Sequence, residues 1–212
     1  MRFRNRNHAG ELLASMLADR YRGIDDPLVL GLPRGGVPVA APVARILEGQ
    51  LDVFVVRKLG VPGHQELAMG AIASGGVRVL NDRILTELGI DDADVEGATK
   101  SERVELDRRE RLYRGDRPAI ELTDRAVIIV DDGIATGASM RAAVDAVAAG
   151  RPGSLTIAVP VAPEATARSL GAIVDDVVVV STPDPFGAVG SWYDDFGQTS
   201  DEQVTSILAE QP

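Results

Sequence analysis

Five short apolar runs recur along the chain, with helix-like stretches between them. "PLVLGL" (27–32) stops at "PRGG", "LDVFVV" (51–56) at "RKLG", and "AVIIV" (126–130) at "DDGIATG". "SLTIAVP" (154–160) and "DDVVVVS" (175–181) follow. These β-branched runs show little polar alternation, which predicts strands buried on both faces of a parallel sheet. Between them, "VPVAAPVARILEG" places Val39, Val43 and Ile46 on one helical face and stops at Gly49. Pro38 suits a first turn, whereas Pro42 predicts a kink or a later start. "ASMRAAVDAVAAG" places Met140, Val144 and Val147 on one face, "PEATARSLG" is a shorter helix, and "NHAGELLASMLADRY" is an N-terminal amphipathic one. Strand and helix alternate, so the expected class is α/β: a central, mostly parallel twisted sheet flanked by helices.

Residues 60–117 break the rhythm. "MGAIA" (69–73) and "VRVLN" (77–81), split by Ser74-Gly75-Gly76, predict a β-hairpin. Residues 94–114 are dense in charges of both signs and predict a solvated helix laced with ion pairs. No linker or repeat divides the 212 residues, so one domain is expected over 1–212.

Composition narrows the function classes. There is no cysteine, hence no disulfide, thiolate metal site or thiol nucleophile. No apolar stretch is long enough to span a membrane, and "MRFRNRNHAG" has no signal-peptide core, so a cytoplasmic protein is expected. The net charge of −10 argues against a nucleic-acid partner, because neutralising phosphates normally requires a basic footprint. Only two lysines occur, Lys58 and Lys100.

The chemistry gathers at the strand ends. In an open α/β sheet, ligands bind outside the carboxyl ends of the strands. In "VIIVDDGIATGAS" a buried strand runs into Asp131 and Asp132, then into Gly133, Ile134, Ala135, Thr136, Gly137, Ala138 and Ser139. A helix starting near Thr136 or Gly137 offers unpaired N–H groups, and small residues let backbone close around a phosphate. The carboxylates suit vicinal hydroxyls or a hydrated Mg²⁺. An Asp-rich turn capping a helix is the plainer alternative. The P-loop pattern is absent.

That string resembles the phosphoribosyl-pyrophosphate (PRPP) signature of the type I phosphoribosyltransferases. The resemblance covers roughly residues 25–185 in strand order and spacing, and is specific only in short motifs. It implies a pyrophosphate loop at "GLPRGG" (31–36), with Arg34 for charge and Gly35 and Gly36 for close approach. A Gly/Pro turn with a surface arginine explains the same residues. It further implies a basic pair, Arg57-Lys58, after the second strand, and a mobile loop over 60–80 with His64 and Glu66 as candidate substrate contacts. By this resemblance Asp131, Asp132, Lys58, Arg57 and Glu66 form the catalytic set, and the loop 133–139 holds the 5′-phosphate. Mg²⁺ is held at Asp131 and Asp132, if necessary through water. The reaction implied is displacement at C1 of PRPP by a nitrogenous acceptor, with release of pyrophosphate. A homodimer is expected. One departure stands out. The 6-oxopurine members carry an acidic residue before the Thr-Gly of the loop, where this chain has Ala135, which looks more like the adenine branch.

Four of the chain's eight aromatic residues, Phe186, Trp192, Tyr193 and Phe196, fall in one short Gly/Pro-rich stretch. The family's variable "hood" over the base suggests that residues 182–200 cover the acceptor, with Phe186 or Trp192 against its flat face. A small satellite core pinning the tail fits the same residues. The rival to an enzyme is a PRPP- or nucleotide-binding regulator on the same fold.

Overall fold

The computed structural model describes residues 1–118 and 120–210, apart from the side chains of Gln65 and Glu66. Five parallel strands form the central sheet: β1 (Leu28–Gly31), β2 (Gln50–Val53), β6 (Ala126–Val130), β7 (Ser154–Val161) and β8 (Asp176–Ser181). Their order is β2-β1-β6-β7-β8. Alternate side chains feed two cores, which explains the lack of polar alternation in the sequence. Val29, Ile128 and Val130 pack on one face with α1 (Arg6–Ala18), α2 (Gly36–Leu47), α4 (Asp92–Arg114) and α7 (Asp201–Ala209). Leu28, Leu30, Val127 and Ile129 pack on the other with α5 (Ala138–Ala149) and α6 (Glu164–Leu170).

A second, antiparallel sheet holds β3 (Val56–Val61), β4 (His64–Ala73) and β5 (Val77–Leu80), followed by α3 (Asp82–Leu88). The hairpin around Ser74-Gly75-Gly76 is therefore present, with a longer first arm that also pairs with β3. Gly75 and Gly76 sit at φ 78° and 77°, a region that favours glycine.

Three expectations need correction. The run 51–56 is not one strand. It leaves the parallel sheet after Val53, and the chain enters β3 at Val56. Val55 N–H is taken by the Ser74 hydroxyl rather than by a sheet neighbour. Every residue of 51–55 is buried, because the crossing runs between the two cores, with Val53 and Val55 in one and Phe54 in the other, so hydrophobicity carries no trace of the break. Second, α2 does not start after Pro42: it begins at Gly36 and contains that residue. Pro42 is buried against α1, where Gly10 makes the room: a Cβ there would lie 3.0 Å from Pro42 Cγ and 2.4 Å from the Val39 carbonyl oxygen. Packing of an apolar helix outweighs one missing intrahelical bond. Third, the charged segment is only partly solvated. The helix α4 buries Val95, Thr99, Leu106, Tyr113 and Arg114, and Arg114 makes an ion pair with Asp52 in which both side chains are under one-tenth exposed. Elsewhere it carries the expected pairs, including Arg57–Glu102, Arg78–Glu96 and Arg109–Glu105.

Candidate active site

The carboxyl ends of β1 and β6 lie side by side, since the two strands pair in register from Leu28–Val127 to Gly31–Val130. The segments that follow them are thereby forced into contact. Residues 33–36 turn directly into α2, with the Pro33–Arg34 peptide cis. Asp131 and Asp132 press against this turn. A Cβ on Gly35 would lie 2.1 Å from Asp132 Oδ2, and one on Gly36 would lie 2.5 Å from the Val130 carbonyl oxygen and 2.9 Å from Asp131 Cα. The glycine pair is thus required by the acidic pair.

Asp131 and Asp132 are half-buried neighbours. Asp131 Oδ1 accepts from the Asp132 N–H at 2.8 Å. Burial, then the adjacent Asp132 charge, pushes the Asp131 carboxyl well above the usual carboxylate range. Asp132 is also raised by burial, and Arg6 opposes that rise. Arg6 Nε donates to Asp132 Oδ2 at 2.8 Å. Arg6 was not among the residues expected from the sequence.

Beyond the pair, the chain enters α5. Gly137 caps that helix at φ 80°, as expected for a start near Thr136 or Gly137. Ala135, Thr136, Ala138 and Ser139 are exposed, so their backbone and hydroxyl groups face solvent together. Ile134 differs: it is 4% exposed, belongs to the core, and its N–H donates to the Val161 carbonyl at 2.9 Å. Ala135 C=O accepts from the Thr166 hydroxyl at 3.0 Å, which steadies the loop from α6.

Arg57 and Lys58 lie inside β3, not at a strand end. Arg57 Nε donates to Glu102 Oε2 at 2.7 Å. Both basic residues line a 630 Å³ cavity with Gly97, Ser101 and Ser139, so β3 and α4 bring them beside the start of α5. Arg34 lines a separate 390 Å³ cavity with Arg6, Gly35, Asp132, Gln198 and Thr199. His64 begins β4 and is exposed, whereas the side chain of Glu66 lies outside the described residues. The largest cavity described, 1030 Å³, opens near Asp26, Gln50 and Arg125, at the other end of the sheet.

The aromatic segment closes over the acidic pair. Tyr193 O–H donates to the Asp132 carbonyl at 2.6 Å, and a Cβ on Gly133 would lie 2.5 Å from Val189 Cγ1. Tyr193 also stacks on Phe3 and Phe196, with ring centroids 5.3 and 4.9 Å apart. Phe186 and Trp192 are half-buried against this cluster, and Trp192 Nε1 donates to the Phe186 carbonyl at 2.8 Å.

A family model for the phosphoribosyl transferase domain matches residues 5–191, the span that carries the glycine turn, the acidic pair and the loop into α5. The chain belongs to the phosphoribosyl transferase family. The phosphoribosyl transferase fold seen here is matched closely by the crystal structure of TT1426 from Thermus thermophilus, with a TM-score of 0.91, 47% identity, and coverage of 100% of this chain and 99% of that one. A Mycobacterium tuberculosis protein provisionally named phosphoribosyl transferase Rv0571c is 45% identical over 206 residues, covering 97% of this chain and 46% of the relative. The bifunctional protein PyrR of Chloroflexus aurantiacus is 32% identical over 114 residues, covering 52% of this chain and 57% of the relative. The chain thus spans about half the length of the curated relatives it matches. No helix among the described residues is long and apolar enough to cross a membrane.

Proposed function

We propose that the protein transfers the phosphoribosyl group of PRPP to a nitrogenous acceptor and releases pyrophosphate. The observation that carries this reading is the packing of the Arg34–Gly35–Gly36 turn against Asp131 and Asp132, with the exposed residues Ala135, Thr136, Ala138 and Ser139 following. One edge then offers a cation for a leaving pyrophosphate, carboxylates for ribose hydroxyls, and N–H and hydroxyl groups for a 5′-phosphate.

The residues suit Mg²⁺ only as a largely hydrated ion. No three His, Cys, Asp or Glu side chains cluster among the described residues. Asp131 and Asp132 would hold it, through water where needed, and it would offset the charge of pyrophosphate. The protein's own part is positioning. Asp131 and Asp132 orient the ribose and favour positive charge developing at its C1. Arg34 balances the departing oxygens, and Arg57 and Lys58 add positive charge from the neighbouring cavity. Segment 186–196 excludes water above the carboxylates and presents Phe186 and Trp192 as the acceptor cover.

The test measures PRPP binding by calorimetry, and pyrophosphate release with Mg²⁺ and a panel of bases. Asp131→Asn/Asp132→Asn is expected to lose PRPP affinity at least about tenfold, the worth of one charge-assisted hydrogen bond, with the fold intact. Unchanged affinity in that double variant sinks the assignment. Binding without pyrophosphate release for any base leaves a PRPP-binding regulator instead.

A further inference from the structure

Arg6 reaches the acidic pair from a part of the chain that lies outside the sheet edge. It opens α1, yet its guanidinium lies on Asp132, 126 positions away. Nε and Nη2 are each 2.8 Å from Asp132 Oδ2. Nη1 donates to the Gly197 carbonyl at 2.7 Å. The guanidinium carbon sits 4.0 Å from the centre of the Phe196 ring. Three attachments therefore fix one side chain that is only 13% exposed. A planar guanidinium suits such a fork, because its donors are already arranged and stacking leaves them free to bond.

The consequence falls on the carboxylate. Both Arg6 donors converge on Oδ2, and Gly35 closes on that same oxygen. Asp132 Oδ1 has no hydrogen-bond partner among the described residues. In Asp131 it is Oδ1 that holds the Asp132 N–H, and Oδ2 has no partner among the described residues. One oxygen of each carboxylate is thus committed to holding the pair, and the other remains for a ligand.

We infer that Arg6 is a positioning residue for the vicinal-diol site, and that through it Phe196 and Gly197 sharpen selection of ribose over 2-deoxyribose. This rests on the reading of Asp131 and Asp132 as the ribose site. A rigid acceptor left without its hydroxyl is a lost hydrogen bond, so a fixed site rejects the deoxy sugar. An acceptor that can turn away is rehydrated, and the penalty shrinks. Arg6 removes that freedom from Asp132 without occupying Oδ1, the oxygen that has no hydrogen-bond partner among the described residues.

Calorimetry on the full chain compares ribose 5-phosphate with 2-deoxyribose 5-phosphate. The wild type is expected to prefer ribose. Arg6→Gln is expected to cut that preference about tenfold, the scale of one charge-assisted hydrogen bond, while affinity for the deoxy sugar stays nearly constant. Arg6→Lys keeps the charge but not the fork, and retains part of the preference. Arg2→Ala removes the Arg2–Asp194 pair and the Arg2 hydrogen bond to the Tyr193 carbonyl, between the same two segments, and keeps the wild-type ratio, which separates positioning from general loosening of the tail. A wild-type ratio in Arg6→Gln and Arg6→Lys overturns the role of Arg6. So does an equal loss for both sugars in Arg6→Gln. Should Arg6→Gln fail to fold, Arg6→Lys decides by the same criterion. Wild-type protein that binds neither sugar, or both equally, overturns the ribose reading itself, and the inference falls with it.

Discussion

Gly35 and Gly36 are adjacent, and alanine at either has a different consequence. Gly36 opens α2, where alanine gains up to about 1 kcal/mol of intrinsic helix preference. Its Cβ, however, would sit 2.5 Å from the Val130 carbonyl oxygen and 2.9 Å from Asp131 Cα. Both are backbone atoms at the end of β6, which cannot retreat without disturbing its pairing with β1. Overpacking of this kind costs about 1–3 kcal/mol, and a backbone obstacle places Gly36→Ala at the upper end. The net loss should be about 2 kcal/mol, or roughly 4–8 °C in Tm for a chain of this length. Gly35 already has φ −64° and ψ −31°, which alanine adopts freely. Its obstacle is a side chain, Asp132 Oδ2, at 2.1 Å. Asp132 can turn aside, but it then leaves Arg6. Gly35→Ala should therefore cost about 1 kcal/mol of stability while weakening PRPP binding about tenfold. Thermal melts followed by circular dichroism and PRPP calorimetry read the two effects separately. Wild-type PRPP affinity in Gly35→Ala, or an unchanged Tm in Gly36→Ala, would refute the argument that the acidic pair dictates the glycines.

Asp52→Ala should destabilise by about 3–5 kcal/mol in urea unfolding, because it strands the buried Arg114 guanidinium without its counter-ion; a loss below about 1 kcal/mol would show that water reaches the pair. The three tyrosines should all resist ionisation: burial raises Tyr21 and Tyr193, and burial with the Asp201 carboxylate raises Tyr113 from 10.0 to about 12. Because the fold holds these protons more tightly, the stability they add is complete below the ordinary tyrosine range and is lost as pH climbs through the raised values, so a 295 nm titration showing native tyrosinate near pH 10 would contradict the burial.

The parallel sheet was legible because strands covered on both faces appear as unbroken apolar runs, each ended by small or charged residues. The break inside residues 51–56 left no such mark, since burial continues while the chain changes sheets. Asp131, Asp132 and loop 133–139 were legible as a local string. Arg6 was not, because its role exists only once the two chain ends meet over Asp132, and no local spacing encodes that meeting. Helix α7 did carry a local signal: Ser200 and Gln203 form a capping box, with the Ser200 hydroxyl accepting the Gln203 N–H. Arg57 and Lys58 were placed near the site by sequence order, but the strand that carries them belongs to the antiparallel sheet.

The aromatic segment is where stability and binding can be separated. Tyr193 and Phe3 are fully interior, at 2% and 0% exposure, so they hold the tail whatever else the segment does. Phe186 and Trp192 are only half-buried, and they belong to the segment that Tyr193 ties to Asp132. Trp192→Phe keeps an aromatic face and removes the Nε1 bond to the Phe186 carbonyl, a loss of about 1 kcal/mol in stability. Trp192→Ala removes the face as well. Stacking of a base on an aromatic ring is worth about 1–3 kcal/mol. If Trp192 covers the acceptor, Trp192→Ala should weaken nucleoside monophosphate binding about tenfold or more, Trp192→Phe should largely preserve it, and PRPP binding should stay level in both. Phe186→Ala tests the other ring in the same way. Equilibrium binding of adenosine, inosine and uridine monophosphates, alongside thermal melts, gives both quantities. Lower Tm with unchanged nucleotide affinity in Phe186→Ala and Trp192→Ala would reduce the cluster to a clasp that pins residues 186–196 to the N-terminal segment, and the acceptor cover would have to come from elsewhere on the rim of the site.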